Sequence, residues 1–131
     1  MSGYLVDTSI FVAAEQRRAL SEPPAGDGRI SVATLTELRV GVLRAATEPL
    51  RQLRTLTYSR ARKFLPLPYD EVVAEHVARF LASARDRQRK AGAMDVIIAA
   101  TALAHDLTIW THDSDFAVLQ ELEPALQVEG V

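Results

Sequence analysis

The sequence contains no cysteine, which excludes disulfide frameworks, thiol nucleophiles and zinc sites of the Cys type, and fits a reducing compartment. Histidine is scarce, three in 131 residues, and His76, His105 and His112 fall at no zinc-like spacing. Lysine is nearly absent. Lys63 and Lys90 are the two in the chain, so arginine carries most of the positive charge and suits the forked recognition of phosphate or carboxylate. No run approaches the roughly 20 apolar residues that a membrane helix requires, and the segment before Asp7 has no basic region of a secretory signal. No membrane association and a cytoplasmic location are therefore expected. An excess of positive charge is also missing: 15 Lys+Arg stand against 17 Asp+Glu, a formal net charge of −2. A protein of this balance that handles nucleic acid must do so through local patches or metal ions.

What is present, 48% hydrophobic and 24% charged residues in 131, is the composition of a soluble globular protein of one domain. Gly3–Asp7 is a short apolar strand running into a polar cluster, and Ile10–Glu15 reads as a helix. Breakers crowd 21–28 into a loop, and Arg29–Val32 is a second strand. Thr34-Leu-Thr-Glu37 has the spacing of a capping box and predicts a helix opening there and running to about Arg44. Pro49 introduces a helix over 50–64. Leu65-Pro-Leu-Pro68, if a strand, lies at a sheet edge. Asp70 caps a helix to about Ala84 that Gly92 ends, and 95–104 is apolar nearly all round, the pattern of a buried helix. Leu107–Thr111 is a strand, 112–122 a loop entering a short helix, and Ala125–Val128 a last strand. Strands alternating with helices imply a doubly wound, three-layer α/β/α domain with a mainly parallel central sheet.

In such a sheet Asp7, Glu37, Asp113 and Asp115 all follow the carboxyl ends of strands, the edge where these folds build sites, and Asp95 at the start of the buried helix joins them. That many carboxylates in one pocket stay ionised when cations neutralise them. Hard divalent ions, Mg²⁺ above all, suit an all-oxygen donor set. Each acid also has a structural reading, as a helix cap or a partner of the helix dipole. A receiver-like phosphoacceptor on a similar sheet would use clustered acids too, but needs a lysine ending a strand, and neither lysine does.

Leu5-Val-Asp7-Thr-Ser9, Thr34-Leu-Thr-Glu37-Leu, Met94-Asp95-Val-Ile-Ile-Ala-Ala-Thr-Ala and Thr111-His-Asp113-Ser-Asp115-Phe116 together resemble the PIN-domain ribonucleases. In order, spacing and chain length they are most similar to the VapC toxins of VapBC toxin–antitoxin modules. The resemblance implies a single PIN-like domain over 1–131 and a growth-arresting endoribonuclease that cleaves RNA phosphodiesters by metal-activated water. Matched residue by residue, it implies Asp7, Glu37, Asp95 and Asp113 as catalytic acids. One or two Mg²⁺ or Mn²⁺ ions would be held by Asp7, Asp95 and Asp113, with Asp115, Ser9 and Thr111 in support. His112 is expected as a solvated loop residue. Arg85, Arg87, Arg89 and Lys90, just ahead of Asp95, are candidates for RNA contact, while Arg51, Arg54, Arg60, Arg62 and Lys63 form a solvated face.

The resemblance further implies a homodimer and a cognate VapB-type antitoxin that plugs the acidic pocket with a basic side chain. An apolar groove between the helices of 34–45 and 49–63 would receive it, unless Leu38, Val42, Leu53 and Leu56 are all core. The alternative to an enzyme is a non-catalytic RNA- or protein-binding module on the same fold.

Overall fold

The computed structural model describes residues 3–130; Met1, Ser2 and Val131, which the single-domain expectation includes, lie outside the described residues. The elements run β1 (Tyr4–Val6), α1 (Thr8–Glu15), β2 (Gly28–Ser31), α2 (Val32–Leu43), α3 (Glu48–Ala61), β3 (Leu65–Leu67), α4 (Glu71–Asp86), α5 (Ala93–Ala104), β4 (Thr108–Thr111), α6 (Phe116–Leu122) and β5 (Val128–Gly130). The five strands pair in parallel in the order β3-β2-β1-β4-β5. The chain winds outward from β1 to the edge strand β3, then crosses back through α4 and α5 to β4 on the other side of β1. The switch in direction lies between β1 and β4, where an open parallel sheet forms its crevice.

Alternation along the strands builds a core on each face. Leu5 and Ile109 point into one, with Val73, Val77 and Phe80 of α4, Val96 and Ile98 of α5, and Phe116 and Leu119 of α6. Val6 and Ile30 point into the other, with Ile10 and Phe11 of α1 and Leu38 of α2. A two-residue period buried on both faces is what a central parallel strand requires, and the three-layer expectation holds.

Several boundaries differ from expectation. α2 begins at Val32 and not at Thr34, because the Ser31 hydroxyl accepts from the Ala33 N–H and caps the helix two residues after β2's Arg29. Thr34 and Glu37 are thus inside the helix, and the capping-box reading is replaced by side-chain contacts described below. α3 starts at Glu48 behind a Thr47 cap. α4 ends at Asp86, and Gln88 takes the positive φ of 54° there, while Gly92 caps the start of α5. The last strand is 128–130, with Leu126 buried in the preceding turn. β3 is an edge strand, as its prolines require.

Of the residues weighed for the α2–α3 groove, Leu38 and Val42 are buried, whereas Leu53 and Leu56 are 43% and 48% exposed; Val40 and Leu43 on α2 are exposed too. On α3, Arg51 pairs with Glu48, Arg54 donates to the Gly41 carbonyl across to α2, and Arg62 lies over the Tyr58 ring. Arg54 thus ties α3 to α2, while Arg51, Arg60, Arg62 and Lys63 are exposed, as a solvated face requires.

Candidate active site

β1 ends at Val6, and Asp7 takes extended backbone angles and caps α1, its side chain accepting from the Ser9 N–H. The reading of Asp7 as a cap is therefore correct and does not compete with a site role, since the carboxylate does more. Its Oδ2 accepts from Ser9 Oγ at 2.6 Å and from Thr111 Oγ1 at 2.8 Å. Each hydroxyl then turns to the loop after β4: Ser9 Oγ accepts from the His112 N–H at 2.8 Å, and Thr111 Oγ1 from the Asp113 N–H at 2.9 Å. Two hydroxyls tie the ends of β1 and β4 to one carboxylate oxygen, Oδ2.

Asp113 Oδ1 accepts from the Asp115 N–H at 2.9 Å, turning the loop so that the two acids sit together. One carboxylate oxygen from each of Asp95, Asp113 and Asp115 lies within 4.8 Å of the others. Asp115, expected in a supporting place, thus lies beside Asp95 and Asp113 although it is exposed. Asp95 is in the first turn of α5, where Gly92 makes no side-chain cap.

Glu37 reaches the site from α2. Its Oε1 accepts from Thr8 Oγ1 at 2.7 Å, and that hydroxyl lies 3.1 Å from the buried Thr34 hydroxyl. Thr8 is a site residue that the sequence reading passed over. Its signal was its place between Asp7 and Ser9, which α1 geometry turns toward α2. Asp7, Glu37, Asp95 and Asp113 line one pocket of about 260 Å³ together with Thr8, Ser9 and Arg18. All four catalytic acids expected from sequence are together.

The electrostatics follow from that crowding. Burial pushes Asp95 up to about 7, reinforced by the charges of Asp7, Glu37, Asp113 and Asp115. Burial also raises Asp7, against the hydrogen bonds from Ser9, Thr111 and the backbone of Ser9 and Thr8 that favour its ionised form. Glu37 is raised by burial and by Asp7 and Asp113, with the Thr8 hydrogen bond opposing. A cation would relieve all three. The donor set is entirely oxygen, which fits a hard divalent ion and not zinc or copper. Asp95, Asp113 and Asp115, with Asp7 in the pocket that Asp95 and Asp113 line, are the residues that could hold one.

His112 is not solvated as expected: it is half-buried, and its Nε2 is out of contact with water without a hydrogen-bond partner among the described residues. Of the RNA-contact candidates, Arg87 donates to the Glu121 carbonyl and Arg89 pairs with the Glu121 carboxylate. Among the described residues, Arg85 and Lys90 make no such bond.

A parallel 3-2-1-4-5 sheet with an acid-lined crevice between its first and fourth strands defines the class, and residues 4–122 match the family model described as PIN domain. Among curated proteins, Ribonuclease VapC4 of Mycobacterium tuberculosis is 39% identical over 120 residues, spanning 91% of this chain and 92% of that protein. Ribonuclease VapC5 of the same organism is 39% identical over 116 residues, 88% of this chain and 86% of that protein. The crystal structure of a member of the VapBC family of toxin–antitoxin systems, VapBC-5 from M. tuberculosis, superposes with a TM-score of 0.84 at 35% identity, covering 98% of this chain and 97% of that one. The chain therefore belongs to the PIN-domain family, among the ribonucleases called VapC.

Proposed function

We infer that the chain is an endoribonuclease toxin of a VapBC-type module, dependent on a divalent ion and neutralised by a cognate antitoxin. The observation that carries this reading is the convergence of Asp7, Glu37, Asp95 and Asp113 on one pocket, where burial, and then the charges of the neighbouring acids, push Asp95 up to about 7. The VapC ribonucleases to which the chain is similar supply the reaction class.

Asp95, Asp113 and Asp115, with Asp7, would hold Mg²⁺ or Mn²⁺, one ion or two. Bound there, the ion supplies a water of lowered pKa and charge to offset the negative charge growing on the phosphate. The remaining work belongs to side chains of the chain. Ser9 and Thr111 fix Asp7 through Oδ2, so the orientation of the carboxylate is set before anything binds. Thr8 holds Glu37 by Oε1, leaving the other oxygen to receive a proton from the attacking water. The raised pKa of Glu37 brings it nearer to neutrality, as a general base requires.

The antitoxin's basic residue would meet this same negative pocket. The homodimer and the cytoplasmic setting expected from sequence belong to the same reading. Incubating purified protein with total cellular RNA, with Mg²⁺ or with EDTA, tests it. Cleavage that needs the ion is the expected result, and cleavage undiminished by EDTA overturns the metal–carboxylate mechanism. Failure to cut any RNA favours the binding module.

A further inference from the structure

Beside the acid pocket runs a second, larger concavity of about 600 Å³ between the end of α4, the 87–92 segment and α6. Its walls are aliphatic, formed by Leu81 and Ala84 on one side and Val118 and Leu119 on the other. Its rim is cationic, with Arg85, Arg89 and Lys90. Asp95 and Asp115 line it as well, and Asp95 also lines the acid pocket, so the two concavities adjoin at that residue. The size is within the range of about 300–1,000 Å³ in which compact ligands are held.

We propose that this groove is the subsite for the nucleotide next to the scissile phosphate, its base on the aliphatic walls and its phosphate met by Arg85 and Lys90. The proposal rests on the ribonuclease reading and deepens it. A strand whose phosphate sits over the acids must continue in one direction along the surface. The groove offers it an apolar surface for a base, and cations at the rim for the next phosphate, immediately adjoining Asp95. Charge complementarity selects a polyanion over a neutral peptide.

The cations are not equivalent. Arg89 is held by the Glu121 carboxylate, which offsets its charge, and Arg87 is turned away onto the Glu121 carbonyl and does not line the groove. Arg85 and Lys90, unpaired among the described residues, are the two available to phosphate. This narrows the four candidates expected from sequence to two, and it predicts a ranking that a diffuse basic surface would not show.

The test measures binding of a fluorescent random-sequence single-stranded RNA of about twelve nucleotides in EDTA, where no cleavage competes, and KM and kcat for RNA cleavage in Mg²⁺. Arg85→Gln and Lys90→Gln are each expected to weaken binding roughly fivefold, and about twenty-five-fold together, with KM rising in step and kcat within about twofold. The slope of log affinity against log salt should fall by about 0.7 for each contact removed. Arg85→Lys keeps the charge and should restore most of the affinity, while Arg87→Gln should match wild type. All three positions are exposed, so folding is preserved. If wild type cleaves RNA but the double variant binds and cleaves like it, or if Arg87→Gln weakens binding as much, the subsite is wrong and the ribonuclease reading stands. If wild type cleaves no RNA, that reading itself fails. Loss of antitoxin affinity with RNA affinity retained would give the groove to a protein partner and overturn the assignment.

Discussion

Replacing Asp95 with asparagine should make the ion-free protein more stable at alkaline pH while destroying its metal site. Folding raises Asp95 from an ordinary value of 3.8 to about 7. Between those values the native state holds a proton that the unfolded chain has released, so stability falls as pH rises through this window and the loss is complete above about 7. Three pH units at about 1.4 kcal/mol each would amount to about 4 kcal/mol, but Asp95 is only half-buried, and solvent screening reduces the effect to about 1–2 kcal/mol. Asparagine keeps the shape without the charge. For a chain of this length that margin corresponds to roughly 4–8 °C in Tm.

Thermal unfolding in EDTA, followed by circular dichroism at about pH 8 and about pH 4, gives the comparison. Asp95→Asn should unfold at the higher temperature at the alkaline pH and at nearly the same temperature as wild type at the acid one, where both side chains are neutral. Added Mg²⁺ should then raise the wild-type Tm and leave that of the variant unchanged, since an ion stabilises only the state that binds it. A variant that melts at or below wild type at the alkaline pH, in EDTA, would show that the acids do not repel one another in the folded state, and the case for a cation in the pocket would lose its physical basis.

Other outcomes follow from the same geometry. Mg²⁺ binding at pH 7 should release about half a proton from Asp95, measured by calorimetry in two buffers of different ionisation enthalpy, and affinity should fall about tenfold per pH unit below that. Ser9→Ala and Thr111→Val each remove a donor to Asp7 Oδ2 and an acceptor for the loop after β4; each should lower metal affinity or cleavage about 10–100-fold. Gly130→Ala should destabilise the fold by about 1–3 kcal/mol in denaturant titration, because a Cβ there would strike the Thr111 carbonyl and φ is 147°.

The sheet and the four acids were legible because they depend on local signals. β1, β2 and β4 show as short apolar runs closed by polar residues, and the uninterrupted apolar pattern of α5 leaves no face for water. Once strands alternate with helices, chain order alone brings Asp7 and Asp113 to one edge. What the sequence hid depends on partners distant in the chain. Thr34 and Glu37 mimic a capping box, yet Ser31, the last residue of β2, caps α2 and sets its register, which frees Glu37 to meet Thr8. Leu53 and Leu56 have the spacing of a buried stripe, but α3 packs on its neighbours through Thr57 and Ala61 and leaves them in solvent. The burial of the His112 ring and the pairing of Arg87 and Arg89 with Glu121, 32 to 34 residues away, were invisible for the same reason.

The net charge of −2 is misleading in the same way. Four acids gather at one pocket with Asp115 at its neighbour, and Arg85 and Lys90 line the groove beside it, so the local field differs from the total.

The most direct test of the central claim is RNA cleavage by Asp7→Asn protein beside wild type, in Mg²⁺ and in EDTA, with folding of the variant verified by its unfolding transition. The account predicts cleavage by wild type in Mg²⁺ alone, and loss of at least about a hundredfold on substitution of Asp7. Equal cleavage by the two proteins, or cleavage by wild type that persists in EDTA, would contradict it.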